Sequence, residues 1–258
     1  MAISKAFAVG VGATATGTTL TTGTFDSTGY THLVVFTKHE GATTTITPSD
    51  NKSSTGWTSL TKQGNGVSDS WGQFHWVPIG SPGTGHTVTM TTAASVPYRC
   101  VIVWLVNSTV GTISVVSDVT ASGNNTTPDA GTISNAGADS IVSFMGVAEY
   151  DIATYTPGSG WTEDYDPDGI NTFTYGQSRG AETTTSIDPT CTSTSSQQWA
   201  ACAVAFKEAS AGGATVYHTD SGTRRPRAGR GRAVERRSVV RCRDVAARSH
   251  GTGCGVER

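Results

Sequence analysis

The strongest constraint on this chain is an order of motifs that occurs twice. The clearer copy runs from Ile141 to Phe206. It opens on an apolar strand with Ile141, Val142 and Phe144 and passes through Thr156-Pro157-Gly158-Ser159-Gly160-Trp161-Thr162. It closes on Trp199-Ala200-Ala201-Cys202-Ala203-Val204-Ala205-Phe206. The earlier copy has Leu33-Val34-Val35-Phe36, then Thr47-Pro48, then Gly56-Trp57-Thr58, and ends on Tyr98-Arg99-Cys100-Val101-Ile102-Val103-Trp104. The two Gly-Trp pairs are 104 positions apart, Leu33 and Ile141 are 108 apart, and Cys100 and Cys202 are 102 apart. Near-constant offsets between unlike motifs imply duplicated structure.

The vocabulary of both copies is that of strands and turns. Thr, Ser, Gly and Val dominate, and no helical periodicity precedes residue 210. Residues 33–36 are a continuous apolar run, the pattern of a strand covered on both faces, and Tyr98 to Val106 is the longest apolar strand and reads as central. Residues 71–77 alternate instead, with Trp71, Gln73, His75 and Val77 on one face and Phe74 and Trp76 on the other. Pro48 and the residues after it read as a strand stop. Ser122-Gly123-Asn124-Asn125 reads as a loop. About a dozen short strands with turn punctuation predict an all-β chain, an antiparallel β-sandwich of jelly-roll-like form built from two half-repeats. The half-repeats span about 32–106 and 140–207, within one domain over 1–210. The stretch Met1 to Ala15 imitates a signal peptide, but Gly and Thr interrupt it, and it reads better as a first strand. No stretch has the apolar length of a membrane span.

Three stretches carry a resemblance. Gly85-His86-Thr87-Val88-Thr89-Met90 follows a Pro/Gly turn, Thr156 to Glu163 holds the second Gly-Trp pair, and Trp199 to Lys207 closes the chain's β region. Over roughly residues 25–208 the chain resembles Thr/Gly-rich β-sandwich modules of phage virions (tail, fibre and head-decoration components) and of bacterial surface proteins. The resemblance implies a structural component of a virion or extracellular surface assembly, without catalytic activity, whose partners are other virion or surface proteins. The alternative is a carbohydrate-binding or adhesion module with glycan partners.

Charge divides the chain. Residues 1–214 hold seven Lys or Arg against sixteen Asp or Glu, whereas residues 215–258 hold eleven Arg against four acids. Residues 211–258 form an Arg-rich tail too poor in apolar residues to bury a core, so disorder is expected. Its abrupt change of composition is what out-of-frame translation of a GC-rich gene produces. An inert tail is favoured over a nucleic-acid arm.

No catalytic signature is present: no GxSxG, HExxH, P-loop or GxGxxG. His75 and His86 flank the turn at 78–85 and are expected near each other as strand-face residues. Glu149, Asp151, Glu163 and Asp164 supply carboxylates at no defined separation. Cys100 and Cys202 sit at matching repeat positions and read as buried thiols. Trp57 and Trp161 also match. They read as core anchors first and as platforms for stacking on a sugar second. Asp164, Asp166 and Asp168 fit the first half of a calcium loop, but Tyr175 stands where the bidentate Glu belongs. No cofactor is expected, with calcium at these three residues as the one exception the sequence offers. The corresponding stretch of the first copy, Ser59-Leu60-Thr61-Lys62-Gln63-Gly64, cannot bind a cation.

Overall fold

Strands that are apolar on both faces need a layer on each side, and the architecture supplies one. The computed structural model describes residues 3–66, 70–137, 139–149, 153–167 and 174–209. The chain divides into units at Met1–Ala214 and Thr215–Arg258. The second unit, and with it the Arg-rich tail, lies outside the described residues.

The first half contains β1 (Ser4–Ala13), β2 (Gly17–Thr21), β3 (His32–Glu40), β4 (Ile46–Asp50), β5 (Thr58–Gly64), β6 (Ser70–Pro78), β7 (Val88–Val96) and β8 (Arg99–Asn107). The second contains β9 (Ile113–Asn125), β10 (Ile133–Ser134), β11 (Ile141–Glu149), β12 (Tyr155–Pro157), β13 (Thr162–Tyr165), β14 (Thr174–Glu182), β15 (Ser186–Ile187), β16 (Cys191–Ser193) and β17 (Gln197–Glu208). Among the described residues every element is a strand, and every strand pairing is antiparallel.

The strands form two five-stranded sheets, β1-β8-β3-β6-β5 and β9-β17-β11-β14-β13. Counted from the start of its own half, with β15 and β16 taken as one strand, each sheet has the same strand order. The smaller sheets match as well. The first half has β2-β7-β4, and the second has the pairs β10-β15 and β12-β16. Pro189 lies between β15 and β16, where a missing N–H interrupts what is one continuous strand, β7, in the first half.

The two large sheets face each other across a core of Val34, Phe36, Phe74, Ile102 and Trp104 from one and Val142, Phe144, Cys202, Val204 and Phe206 from the other. β5 lies beside β9, and β1 reaches β13, where the Tyr165 ring crowds Gly10. Each large sheet is also covered on its outer face. Leu33, Val35, Val101, Val103 and Leu105 pack under β2-β7-β4. Met145, Val147, Ala201, Ala203 and Ala205 pack under the smaller pairs of the second half. That double coverage explains the continuous apolar runs of β3, β8, β11 and β17.

Two local expectations are corrected. Pro48 does not stop its strand. β4 is an edge of the small sheet, where a proline costs no ladder bond on its open side, and Pro48 pairs with Met90. Ser122-Gly123-Asn124-Asn125 is not a loop, because β17 supplies ladder partners through Gln197 opposite Asn125. Gly123 is needed there, since a Cβ would lie 2.4 Å from the Trp199 ring. Cys100 and Cys202 are free and buried. Burial pushes the Cys100 thiol up to about 11, which leaves it inert at neutral pH.

Candidate functional site

The outer face of the first-half sheet changes character toward its β5 edge. Apolar Leu33 and Val35 on β3 give way to Thr37 and His39. β6 contributes Trp71, Gln73 and His75. β5 adds Ser59 and Lys62 through a break in register between them. In an undisturbed strand, residues three apart face opposite ways. Here the bulge sets Ser59 opposite His75 and Lys62 opposite Gln73, while Leu60 packs into the central core. The loop leading into β4 passes over this stripe. Together they line an open cavity of about 390 Å³, formed by residues 43–46, Ser59, Lys62 and Gln73.

Lys62 is the centre of the charge pattern. Its Nζ donates to Thr44 O at 2.6 Å and to His39 Nε2 at 3.0 Å, with Thr43 Oγ1 at 3.5 Å. Its ammonium lies 5.1 Å from the centroid of the Trp71 ring. Among the described residues no carboxylate forms an ion pair with it. Burial pulls its pKa down to about 8, so it remains the pocket's cation at neutral pH. His39 is lowered to about 4 by burial and by the Lys62 charge, and His75 to about 3 by the same causes. Both are neutral bases.

His75 links two hydroxyls, with Nδ1 2.9 Å from Ser59 Oγ and Nε2 3.0 Å from Thr37 Oγ1. This is not an activated nucleophile. A base with so low a pKa accepts a proton poorly, and a threonine stands where an orienting carboxylate belongs. Thr37 and His75 are fully buried, so of this line only Ser59 reaches the cavity.

A second polar network contains the residue types of a hydrolase triad. Ser27 and His86 are fully buried. The Ser27 hydroxyl lies 2.9 Å from His86 Nδ1, and His86 Nε2–H donates to Asp50 Oδ2 at 3.2 Å. The other Asp50 oxygen accepts from the Lys52 and Ser54 amides at 3.0 and 3.1 Å, and Gly83 N–H donates to Ser27 Oγ at 3.0 Å. Burial works to raise the Asp50 carboxyl, but the bonds from Ser54, His86 and Lys52 hold it below the usual range. Burial lowers His86, with Asp50 offsetting part of the effect. The ring stacks on Phe25 at 4.7 Å. The network ties three separate loops together and leaves its serine unreachable. His75 and His86, expected as neighbours, belong to these two different networks.

The remaining sequence candidates fall as follows. Asp164 Oδ2 accepts from Trp104 Nε1 at 2.8 Å and from the Ser178 hydroxyl. Asp166 Oδ2 accepts from the Tyr155 amide at 3.0 Å. Asp168 lies outside the described residues, as does Asp151. Among the described residues no group of three His, Cys, Asp or Glu side chains is placed to hold a metal. Trp161 is 7% exposed and packs in the outer core of the second half, and Trp57 is half-buried against the outer core of the first. Glu149 is buried.

The pocket was not legible as a site. Ser59 and Lys62 read as opposite-facing residues until the bulge is known, and β3 joins them from a distant part of the sequence. No protein-family model, curated protein or solved structure matches the chain. Its reading therefore rests on its own residues. No helix among the described residues is long and apolar enough to cross a membrane.

Proposed function

We propose that the chain is a structural module of a virion or extracellular surface assembly, of the tail, fibre or head-decoration kind, in which each half is a jelly-roll-like unit. The observation that supports this reading is the use made of buried polar groups. Ser27, His86 and Asp50 brace loops and are sealed from solvent. Lys38 and Glu40 form an internal ion pair at 2.6 Å. Arg99, 5% exposed, clamps the start of the chain through Ala15 O at 2.7 Å and through Thr19 O. Polar chemistry spent on bracing suits a part that carries load and displays loops. Its partners are then other virion or surface proteins. Mass spectrometry of purified particles and of washed cell-surface fractions tests the reading. Enrichment there is the expected result, and recovery solely from the soluble cell fraction overturns it.

One observation favours a second reading, a carbohydrate-binding or adhesion module. The pocket over Lys62 combines hydroxyls, an amide and a cation in a cavity of ligand size.

A further inference from the structure

The duplication supplies an internal comparison for this pocket. Gln73 pairs with Thr37 on one side and Lys62 on the other, and Gln177 pairs with Met145 and Glu163. The two glutamines therefore hold the same place in the two halves. By the same ladders Thr37 corresponds to Met145, His39 to Val147 and Trp71 to Tyr175.

In the second half this place is filled. Met145, Val147 and Tyr175 join Tyr155 and Cys191 in a closed apolar core. The Gln177 amide is consumed by the cover, its Nε2 donating to Thr190 O at 2.9 Å and its Oε1 accepting from Gly158 N at 3.2 Å. The fold thus stands without a polar hollow at this position. In the first half Thr37 and His39 hold this place and are also buried, but beside them an open cavity lies over Ser59, Lys62 and Gln73. Gln73 donates to Leu60 O at 2.8 Å, which leaves its carbonyl oxygen as an acceptor.

We propose that the cavity beneath residues 43–46 binds an acidic sugar, a polyhydroxylated ring bearing a carboxylate, with Lys62 pairing the carboxylate and Ser59, Gln73 and the threonine loop bonding ring hydroxyls. The volume, about 390 Å³, lies in the range of small-ligand sites, roughly 300–1,000 Å³. The donors and acceptors are mostly neutral and short, the kind that match a sugar's hydroxyls. The exception is a half-buried cation with no carboxylate partner among the described residues. Taking such a cation from water is costly, and an incoming carboxylate offsets the cost. Burial lowers the pKa of Lys62, and its bonds to the neutral acceptors Thr44 O and His39 Nε2 offset that cost only in part.

This inference rests on the glycan-binding reading and names its ligand class. The test is a backbone-amide NMR titration of the full chain with galacturonate, galactose and acetate. Galacturonate is expected to shift the amides of residues 43–46, Ser59 and Gln73. Acetate and galactose are each expected to bind at least tenfold more weakly. Lys62→Met is expected to weaken galacturonate at least tenfold and to leave galactose unchanged. Thr45→Trp on the exposed loop, which blocks the cavity without touching the lysine, is expected to abolish the shifts and supplies the test if Lys62→Met fails to fold. Galactose binding here as tightly as galacturonate, or galacturonate binding that survives Lys62→Met, overturns the acidic-sugar inference and leaves the glycan reading standing. No shift at these residues with either sugar overturns both.

Discussion

Phe36 of the first half occupies the space that a side chain on Gly146 of the second half would need. A Cβ on Gly146 would lie 2.5 Å from the Phe36 ring, and one on Gly72 would lie 2.7 Å from it. The central sandwich closes at this point because β11 offers bare backbone to an aromatic ring. Phe36 packs onward in tilted contact with Phe74 at 5.1 Å, Phe74 with Trp104 at 5.9 Å, and Trp104 with Phe144 across the interface at 5.4 Å.

Gly146→Val is therefore expected to push the two large sheets apart. The loss of stability should reach about 1–3 kcal/mol or more, the cost of overpacking a dense core. Urea denaturation followed by tryptophan fluorescence measures it. A loss below about 0.5 kcal/mol, the scale of a neutral surface change, means that the halves do not meet as closely as described.

Trp161→Ala should cost about 3–5 kcal/mol, as large aromatic truncations in cores do. Trp57→Ala, at the matching place but half-buried, should cost less. Equal and small losses at both positions would mean exposed rings and would revive the sugar-platform reading of these two residues.

Ser27→Ala and Asp50→Ala should each destabilise the protein by about 1–3 kcal/mol, because each leaves buried partners without a bond. Asp50→Ala should be the larger, since it orphans His86 and two backbone amides. Thermal unfolding of the two variants checks both the size and the order.

Acid should destabilise the chain before any carboxylate of ordinary pKa titrates. His32 and His39 are lowered from 6.5 to about 4, His75 to about 3, and His86 is lowered too, with burial the leading cause in each. A base whose folded pKa lies below its unfolded value binds its proton more readily when unfolded. The stability it contributes is present above about 6.5 and is lost as pH falls from there toward the folded values. Melting temperatures measured from pH 7.5 to pH 4 should fall steadily below about pH 6.5. A flat profile over that window means that the histidines are not held neutral.

Calcium should leave the melting curve where it is. Asp164 already serves Trp104 and Ser178, and Asp166 serves the Tyr155 amide. Overlapping curves in millimolar Ca²⁺ and in chelator are expected. A calcium-dependent rise that disappears in Asp166→Asn would restore the calcium loop.

Much of the secondary structure is legible in the sequence because it is set locally. Alternation at residues 71–77 and unbroken apolar runs at 33–36, 100–106 and 199–206 mark strands with one or two covered faces, whatever covers them. The repeated motif order marks a repeated set of strands for the same reason. What the sequence by itself could not decide is which strands become neighbours. β17 turns Ser122 to Asn125 from loop into strand, and an edge position lets Pro48 stay in a ladder. The candidate site belongs wholly to this second kind of information. Thr37 and His39, Ser59 and Lys62, and Gln73 and His75 come from three strands. A single register shift in β5 decides that Ser59 and Lys62 face the same cavity. Side-chain direction in a strand follows position modulo two, so one bulge reverses it, and only the partner strand determines where the bulge falls.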